Sequence, residues 1–142
     1  MKRLLPLALL ILGLAAGNLR ADTLVVLPGS SIQAKIDEAA DGDIIAIFGG
    51  SYAENLTVTK AIRFAEVQNQ DVTFLGDITI DGVENPPPLQ GLTFGGGKTF
   101  LIQNTTGTIN VRDCEFREGN YLNLQDTTGD IIIRDCEITG EG

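Results

Sequence analysis

The chain has 142 residues, 17 of them glycine, and 19 acidic against 10 basic residues give it a formal charge of −9 without any histidine. The lack of histidine excludes Ser-His-Asp and Cys-His catalytic systems and imidazole zinc sites in this chain. The acidic excess argues against nucleic acid as a partner, because phosphate binding needs a basic surface.

Residues 1–21 have the pattern of a secretory signal peptide. Two basic residues precede an uncharged apolar run over residues 4–16, and small residues follow. This run is shorter than the roughly 18 apolar residues that a membrane span needs. We expect cleavage after Gly17 or after Ala21, with a retained N-terminal anchor as the alternative. The expected product is secreted, extracellular, at the cell surface or periplasmic, and has no membrane span. Cleavage after Ala21 removes three basic residues and leaves a formal charge of −12.

Residues 22–50 are predicted to form an N-terminal cap made of a strand, a helix and a second strand. The two strands are predicted over residues 23–27 and 44–48, which are short runs of aliphatic and β-branched residues. Between them, apolar residues at helical spacing predict a short amphipathic helix over residues 31–40. We expect this helix to cover the open end of the strands that follow it, because an exposed sheet edge and core would aggregate.

The ends of this helix carry recognisable sequence signals. Ser30 and Gln33 have the spacing of a capping box, which predicts a helix start at this point. Gly42 follows the last apolar residue and predicts the helix end.

Residues 51–142 have a 22-residue repeat. Residues 106–116 match residues 128–138, and five series of apolar residues follow the same spacing. A leucine-rich repeat is the alternative at this period, but its spacing of leucine and asparagine is missing, which favours a β-solenoid. The five series are Leu56, Ile78, Phe100 and Leu122; Val58, Ile80, Ile102 and Leu124; Leu89, Val111 and Ile133; Leu92, Cys114 and Cys136; and Phe94, Phe116 and Ile138.

Each repeat alternates apolar and polar residues, which is typical of strands. Ile109 and Val111 are predicted to point inward and Asn110 outward, until the alternation slips by one residue at Asp113. This slip predicts a sharp corner, and turn-like segments separate about three strands in each repeat. The predicted fold class is therefore all-β: a right-handed parallel β-helix of about four 22-residue coils with a short N-terminal capping helix. Because the sequence stops inside a coil, we expect it to be truncated or to associate end to end.

Two segments resemble the opening of secreted right-handed parallel β-helix proteins of the pectate-lyase-like superfamily. They are the predicted helix and its exit over residues 31–45, and the Gly-Ser-Tyr-Ala-Glu element with its strand over residues 50–58. The resemblance implies a capping helix, a Gly-x-Tyr-x-Glu turn and successive coils. The superfamily includes pectate lyases, pectin methylesterases, polygalacturonases and adhesins, so the resemblance implies a fold but no single activity.

No catalytic set of these enzymes is recognisable in the sequence. A lyase-type calcium site needs several carboxylates, whereas the outward positions of the relevant strands offer Asp81 alone. We therefore expect no catalytic, cofactor-binding or metal-binding residue here, and calcium only if a lyase-type site lies beyond residue 142. Arg112 and Arg134, one repeat apart, are interpreted with their acidic neighbours as an outward ladder of charges that offset one another, not as a catalytic base and metal site.

The function predicted from these observations is that of a secreted scaffold that binds extracellular polysaccharide or a cell-surface partner. Two alternatives stay open: the N-terminal part of a polysaccharide lyase or pectin esterase whose catalytic coils are missing, and an adhesin-like stalk. The candidate glycan contacts are the outward residues Asp81, Gln103, Tyr121, Asn123 and Gln125.

Cys114 and Cys136 are predicted to be structural residues that lie one coil apart in an inward series. Adjacent coils would place their Cα atoms ~4.8 Å apart, which is within the range of a disulfide. Two buried free thiols are the alternative, because ladder side chains run parallel and small thiols fill a core well. No neighbouring base is present to activate either thiol.

Overall fold

Three short strands per repeat wind the chain into a parallel β-solenoid of about five coils. The structure is a computed structural model that describes residues 20–140, so all but the last two residues of the predicted signal peptide lie outside the described residues. One helix, α1 (Ile32–Glu38), lies near the start of this range, and no helix within it is long and apolar enough to cross a membrane. The strands are β1 (Thr23–Val26), β2 (Ile44–Ile47), β3 (Gly50–Tyr52), β4 (Leu56–Val58), β5 (Arg63–Glu66), β6 (Val72–Phe74), β7 (Ile78–Asp81), β8 (Leu89–Gln90), β9 (Thr93–Phe94), β10 (Thr99–Gln103), β11 (Ile109–Arg112), β12 (Glu115–Arg117), β13 (Tyr121–Gln125), β14 (Ile131–Arg134) and β15 (Glu137–Thr139).

These strands form four sheets, and the paired strands within each sheet are parallel. The cap sheet has the order β1-β2-β5, and sheet I has the order β4-β7-β10-β13. Sheet II contains β8-β11-β14, and sheet III contains β3-β6-β9-β12-β15. The predicted parallel β-helix with 22-residue coils and a short N-terminal capping helix is thus confirmed. The coils number about five instead of the predicted four, because β2, at the end of the predicted cap, already begins the first coil.

The register of sheet I confirms the apolar series predicted from the sequence. Leu56 pairs with Ile78, Ile78 with Phe100, and Phe100 with Leu122. The 22-residue spacing places equivalent side chains one coil apart, where they stack inside the solenoid and remove apolar surface from water. Leu56, Ile78 and Phe100 are accordingly buried.

A proline run separates the cap sheet from sheet II. Strands β5 and β8 are neighbours but belong to different sheets, and Pro86, Pro87 and Pro88 directly precede β8. Proline lacks a backbone N–H and therefore cannot donate a ladder hydrogen bond. The hydrogen-bonded ladder on this side of the solenoid consequently stops at β5 and starts again at β8.

Sheet III carries a column of aromatic side chains through the core. Tyr52 pairs with Phe74, Phe74 with Phe94, and Phe94 with Phe116. The Phe94 ring stacks on the rings of Phe74, Phe100 and Phe116 at centroid distances of 5.8, 5.1 and 4.8 Å. Phe74 and Phe94 are closer in the sequence than one full period, which explains why the periodicity identified only the later members of this column.

The corners between strands are also stacked in columns. Asp113 and Asp135 have φ angles of 50° and 54°, and Gly91 occupies the preceding position with a φ of 72°. In this left-handed conformation the Asp113 N–H still donates to the Arg134 carbonyl of the next coil at 3.1 Å. The sharp corner predicted at Asp113 is confirmed, and the residue types agree with it, because Asp tolerates this region better than most side chains.

Replacing Asp113 by Val is expected to lower the free energy of unfolding by about 1–2 kcal/mol, because a β-branched side chain strains a left-handed backbone. Asp113→Gly should be nearly neutral, because relief of strain offsets the entropy that glycine loses on folding. Asn110→Val, in the extended backbone of β11, is the matched control and should cost little. Urea unfolding measures all three variants, and equal losses for the two valine variants would contradict this explanation of the corner.

The helix boundaries differ from those predicted. Ser31, and not Ser30, is the N-cap: its Oγ accepts a hydrogen bond from the Ala34 N–H at 3.1 Å. The helix ends at Glu38, and the positive φ of Gly42 serves the following turn instead. The predicted capping box is therefore wrong.

The acidic partner of the N-cap comes from the next coil. Glu54, at the end of the Gly-Ser-Tyr-Ala-Glu element, accepts from the Ser31 hydroxyl at 2.8 Å and from the backbone N–H groups of Ile32 and Gln33. The Gln33 side chain instead pairs with the backbone of Thr57. Its Nε2 donates to the Thr57 carbonyl, and its Oε1 accepts from the Thr57 N–H. A carboxylate at a helix N-terminus satisfies free N–H groups and complements the helix dipole.

Lys60 holds the other end of the helix. Its Nζ donates to the carbonyl oxygens of Ile36, Asp37 and Ala39 at 3.1, 2.8 and 2.6 Å. Glu54 and Lys60 flank β4, so one segment of the following coil contacts both termini of α1. Held in this way, the helix buries Ile32 and Ile36.

Candidate functional site

The five candidate residues lie together on the outer surface of sheet I. Asp81 pairs in register with Gln103 and Gln103 with Gln125, which gives one row across three coils. Tyr121 and Asn123 lie on β13, next to Thr99 and Leu101 of β10. We call this surface the outer face; it comprises Thr57, Thr79, Asp81, Thr99, Leu101, Gln103, Tyr121, Asn123 and Gln125.

Strict alternation along each strand produces the outer face. In β10 the side chains of Phe100 and Ile102 are buried, whereas Thr99, Leu101 and Gln103 are partly exposed. Neighbouring strands lie ~4.8 Å apart and alternate residues of one strand about 6.8 Å apart, so the face is a regular grid of side chains. The sequence therefore placed these residues correctly relative to one another, because the period fixes the coil and the alternation fixes the side.

Asp81 is held in place by two amides. It accepts from Gln103 Nε2 at 3.0 Å through one carboxylate oxygen and from Asn104 Nδ2 at 2.8 Å through the other. These hydrogen bonds, with Asn104 contributing most, lower the pKa of Asp81 below its ordinary value. The outer face thus keeps a negative charge at neutral pH.

Asn104 belongs to this arrangement, although it is not among the residues predicted from the sequence. It occupies a corner with a φ of 51°, between Gly82 and Asp126 in a column whose three members all have a positive φ. The 22-residue spacing of Gly82, Asn104 and Asp126 is the signal that would have placed this side chain beside Asp81.

Tyr121 is the most prominent aromatic side chain of the outer face, with 70% of its surface exposed. Asn123 and Gln125 on the same strand are also exposed. An exposed tyrosine ring offers an apolar surface and a hydroxyl at its edge. On β13, therefore, an aromatic ring and two amides point outward from a single strand.

A cleft of about 400 Å³ lies at one edge of the outer face. It begins where β4 and β7 end, since Thr59 and Gly82 directly follow these strands. Its lining residues are Asp41, Thr59, Ala61, Gly82, Val83, Glu84 and Asn85. The cleft is thus lined mainly by small and polar residues and by two carboxylates.

The predicted charge ladder places like charges one coil apart on the surface. Arg112 pairs in register with Arg134, and Glu115 with Glu137. Glu115 forms its ion pair with Arg117 at 3.1 Å, whereas Arg112 contacts the Asn110 side chain at 3.4 Å. The outward position of Arg112 and Arg134 and their stacking one coil apart agree with the prediction, because parallel in-register strands place equivalent residues of successive repeats side by side. Within the described residues, neither arginine forms an ion pair with its acidic neighbours.

Cys114 and Cys136 are both free thiols. Each thiol points to a backbone carbonyl, that of Arg112 at 3.2 Å and that of Arg134 at 3.3 Å, which directs the two sulfur atoms in parallel. Of the two alternatives, the structure therefore has the free thiols. Burial raises the pKa of Cys114 to about 11.

Cys114 is expected to resist alkylation by iodoacetamide in the folded protein. With a pKa of about 11, only about one Cys114 in a thousand is a thiolate at pH 8. Cys136 is less buried and should be modified first. Peptide mass spectrometry after timed alkylation measures both rates, with a urea-unfolded sample as the control in which both react. A disulfide-linked peptide, or faster reaction at Cys114, would contradict the prediction.

Within residues 20–140, no three acidic, cysteine or histidine side chains converge in a group that could hold a metal ion. The chain matches no protein-family model, no curated protein and no solved structure.

Proposed function

We propose that this protein is a secreted β-helix scaffold that binds extracellular polysaccharide through the outer face of sheet I. One observation carries the proposal: Asp81, Gln103 and Gln125 form a row across three coils, beside Asn123 and the exposed Tyr121. The resemblance of residues 31–58 to secreted pectate-lyase-like β-helix proteins supports an extracellular, glycan-rich setting.

The chemistry of the outer face suits sugar hydroxyls. Amide side chains both donate and accept hydrogen bonds, as hydroxyls do, and an aromatic ring can lie against the apolar face of a sugar. Among the described residues, the amide oxygen of Gln103 has no hydrogen-bond partner, while its Nε2 is held by Asp81. This fixed amide is oriented before a ligand arrives, which lowers the entropic cost of binding.

The parallel sheet supplies the rigidity that such a surface needs. Sheet I is hydrogen-bonded across four strands, and its inward side chains form part of the core. A ligand on the outer face therefore meets side chains that stand on a hydrogen-bonded sheet, in which β7 and β10 have neighbours on both sides and β4 and β13 have a neighbour on one side. Sites built on strands are more exact than sites on loops.

Glycan-array screening followed by pull-down with insoluble plant and algal polysaccharides tests the proposal. The triple variant Gln103→Ser, Asn123→Ser, Gln125→Ser should lower the affinity for a retained polysaccharide at least tenfold, since each lost hydrogen bond contributes about 1 kcal/mol. The matched control is Gln90→Ser with Asn110→Ser, which removes amides from the outer side of sheet II. Equal losses in both variants, or retention of no polysaccharide, would refute the proposal.

A further inference from the structure

Resting on the proposed function, we infer that the outer face selects an uncharged linear polysaccharide that lies along the solenoid axis, in preference to a polyuronate. Both the chemical class of the ligand and its direction on the protein follow from three properties of the outer face. These are its periodicity, its charge and the hydrogen-bonding character of its side chains.

The first property is periodicity along the solenoid axis. The row Thr57, Thr79, Leu101 and Asn123 presents one side chain per coil, and so does the row Asp81, Gln103 and Gln125. Successive strands repeat every ~4.8 Å. A polymer of identical units that runs along the axis would meet one side chain of each row per coil. A polymer that runs along a strand would instead meet at most three outward side chains, about 6.8 Å apart, within a single coil.

The second property is charge. The strands β4, β7, β10 and β13 contain no Lys or Arg, and the outer face carries the ionised carboxylate of Asp81. The whole chain is also acidic, with a formal charge of −9. A polyuronate, with one carboxylate per sugar, would be repelled by this surface. An uncharged polymer avoids this repulsion.

Calcium bridging would be the usual way to bring a polyuronate to an acidic surface. Calcium takes six to eight oxygen ligands, generally with several carboxylates among them. The outer face offers the single carboxylate of Asp81, and both of its oxygens already accept hydrogen bonds, from Gln103 and Asn104. The outer face therefore lacks the ligand set for such a bridge.

The third property is the character of the polar groups. Apart from Asp81 and Leu101, the outer face consists of neutral hydroxyl and amide side chains together with Tyr121. Hydroxyls and amides match sugar hydroxyls as donors and acceptors without burying a charge, which would carry a desolvation cost. An uncharged linear polysaccharide is the ligand class that fits all three properties.

Isothermal titration calorimetry of the whole protein with two sets of ligands tests which class of polysaccharide binds. The first set is a series of neutral β-glucan oligosaccharides of increasing length, and the second is oligogalacturonate with and without added calcium. We expect the affinity for the neutral series to rise with chain length and to change little with salt, and oligogalacturonate to bind at least tenfold more weakly. Tighter binding of oligogalacturonate would overturn the inference while leaving the proposed function intact. Failure of both ligand sets, together with a blank glycan array, would overturn the two together.

Paired variants test the direction of the polymer. Thr57→Ala and Asn123→Ala lie in one row at opposite edges of sheet I, about 14 Å apart across three strand spacings. If the polymer lies along the axis, each variant should weaken binding of the longest oligosaccharide about threefold to tenfold and leave the shortest less affected. If Asn123→Ala, Tyr121→Ala and Gln125→Ala, all on β13, weakened binding while Thr57→Ala did not, the polymer would follow a single strand. That result would overturn the axial direction. Urea unfolding of each variant verifies that the fold is intact.

Discussion

Replacing Phe94 by Ala is expected to lower the free energy of unfolding by about 3–5 kcal/mol, the largest single effect that we predict. Phe94 is 4% exposed, and its ring lies against three other rings, those of Phe74, Phe100 and Phe116. Truncation removes the transfer free energy of the ring and leaves a cavity between coils that the in-register backbone cannot close easily. Urea unfolding followed by circular dichroism measures the change.

Two matched variants separate the contribution of core packing to stability from that of the aromatic ring itself. Phe94→Leu keeps most of the buried volume and should cost clearly less than Phe94→Ala. Tyr121→Ala removes an aromatic ring that is 70% exposed and should change stability by less than about 0.5 kcal/mol. If Phe94→Ala cost no more than Tyr121→Ala, the aromatic column would not be an essential part of the core.

The repetition of the sequence made most of the coil architecture predictable. In a solenoid, residues that touch across coils are one period apart, so a series such as Leu56, Ile78 and Phe100 predicts both a strand and its register. The corner at Asp113 followed from the same alternation, because a one-residue slip reverses the side to which each side chain points. Long-range contacts were thereby reduced to a spacing that can be read from the sequence.

The structural features that the sequence did not predict are those that break the 22-residue period and the contacts that join unlike elements, such as a helix and a turn. The aromatic column was seen only in part, because Phe74 and Phe94 are separated by less than one full period. The interruption between β5 and β8 depends on the missing N–H groups of three prolines, which leave no periodic signal. The N-cap was assigned to Ser30 because a local motif cannot indicate that the carboxylate comes from Glu54, in the next coil.

For the candidate site, the sequence predicted the positions of the side chains on the outer face but not the hydrogen bonds between them. Period and alternation placed Gln103 beside Asp81, and the register confirms that placement. The contact of Asn104 with Asp81 depends on a corner residue whose left-handed backbone turns its side chain back toward the outer face. The 22-residue spacing of Gly82, Asn104 and Asp126 indicates this corner, but the hydrogen bond itself depends on the backbone geometry of Asn104.

The Gly-Ser-Tyr-Ala-Glu element that carries part of the family resemblance has a structural role in this protein. Tyr52 is buried in the aromatic column, and its hydroxyl donates to the Phe48 carbonyl at 2.6 Å. Glu54 holds the start of α1. These two structural roles explain why the element indicates the fold without indicating an activity.

Replacing Glu54 by Ala is expected to lower the free energy of unfolding by about 2 kcal/mol, the second large effect. The change leaves the Ile32 and Gln33 N–H groups without their charged acceptor, and hydrogen bonds to charged groups contribute about 1.5–3 kcal/mol. A helix of seven residues is too short to be stable in water without tertiary contacts. Loss of the cap should therefore release α1 as a unit and expose Ile32 and Ile36 before the coils unfold. Hydrogen exchange should show faster exchange of helix amides at moderate urea, while β7 and β10, the two inner strands of sheet I, stay protected.

Glu38→Ala is the matched control, because it also removes a carboxylate that contacts α1. Glu38 forms an exposed ion pair with Lys35, and pairs of this kind contribute well under about 1 kcal/mol. Glu54→Gln keeps an acceptor but loses the charge, so it should fall between the alanine variant and the native protein. If Glu54→Ala and Glu38→Ala were equally mild, the remaining contacts of the helix, which include the hydrogen bonds of Lys60 and the packing of Ile32 and Ile36, would be enough to hold it in place. If Glu54→Ala instead unfolded cap and coils in one transition, the helix would be an integral part of the core and not a separable lid.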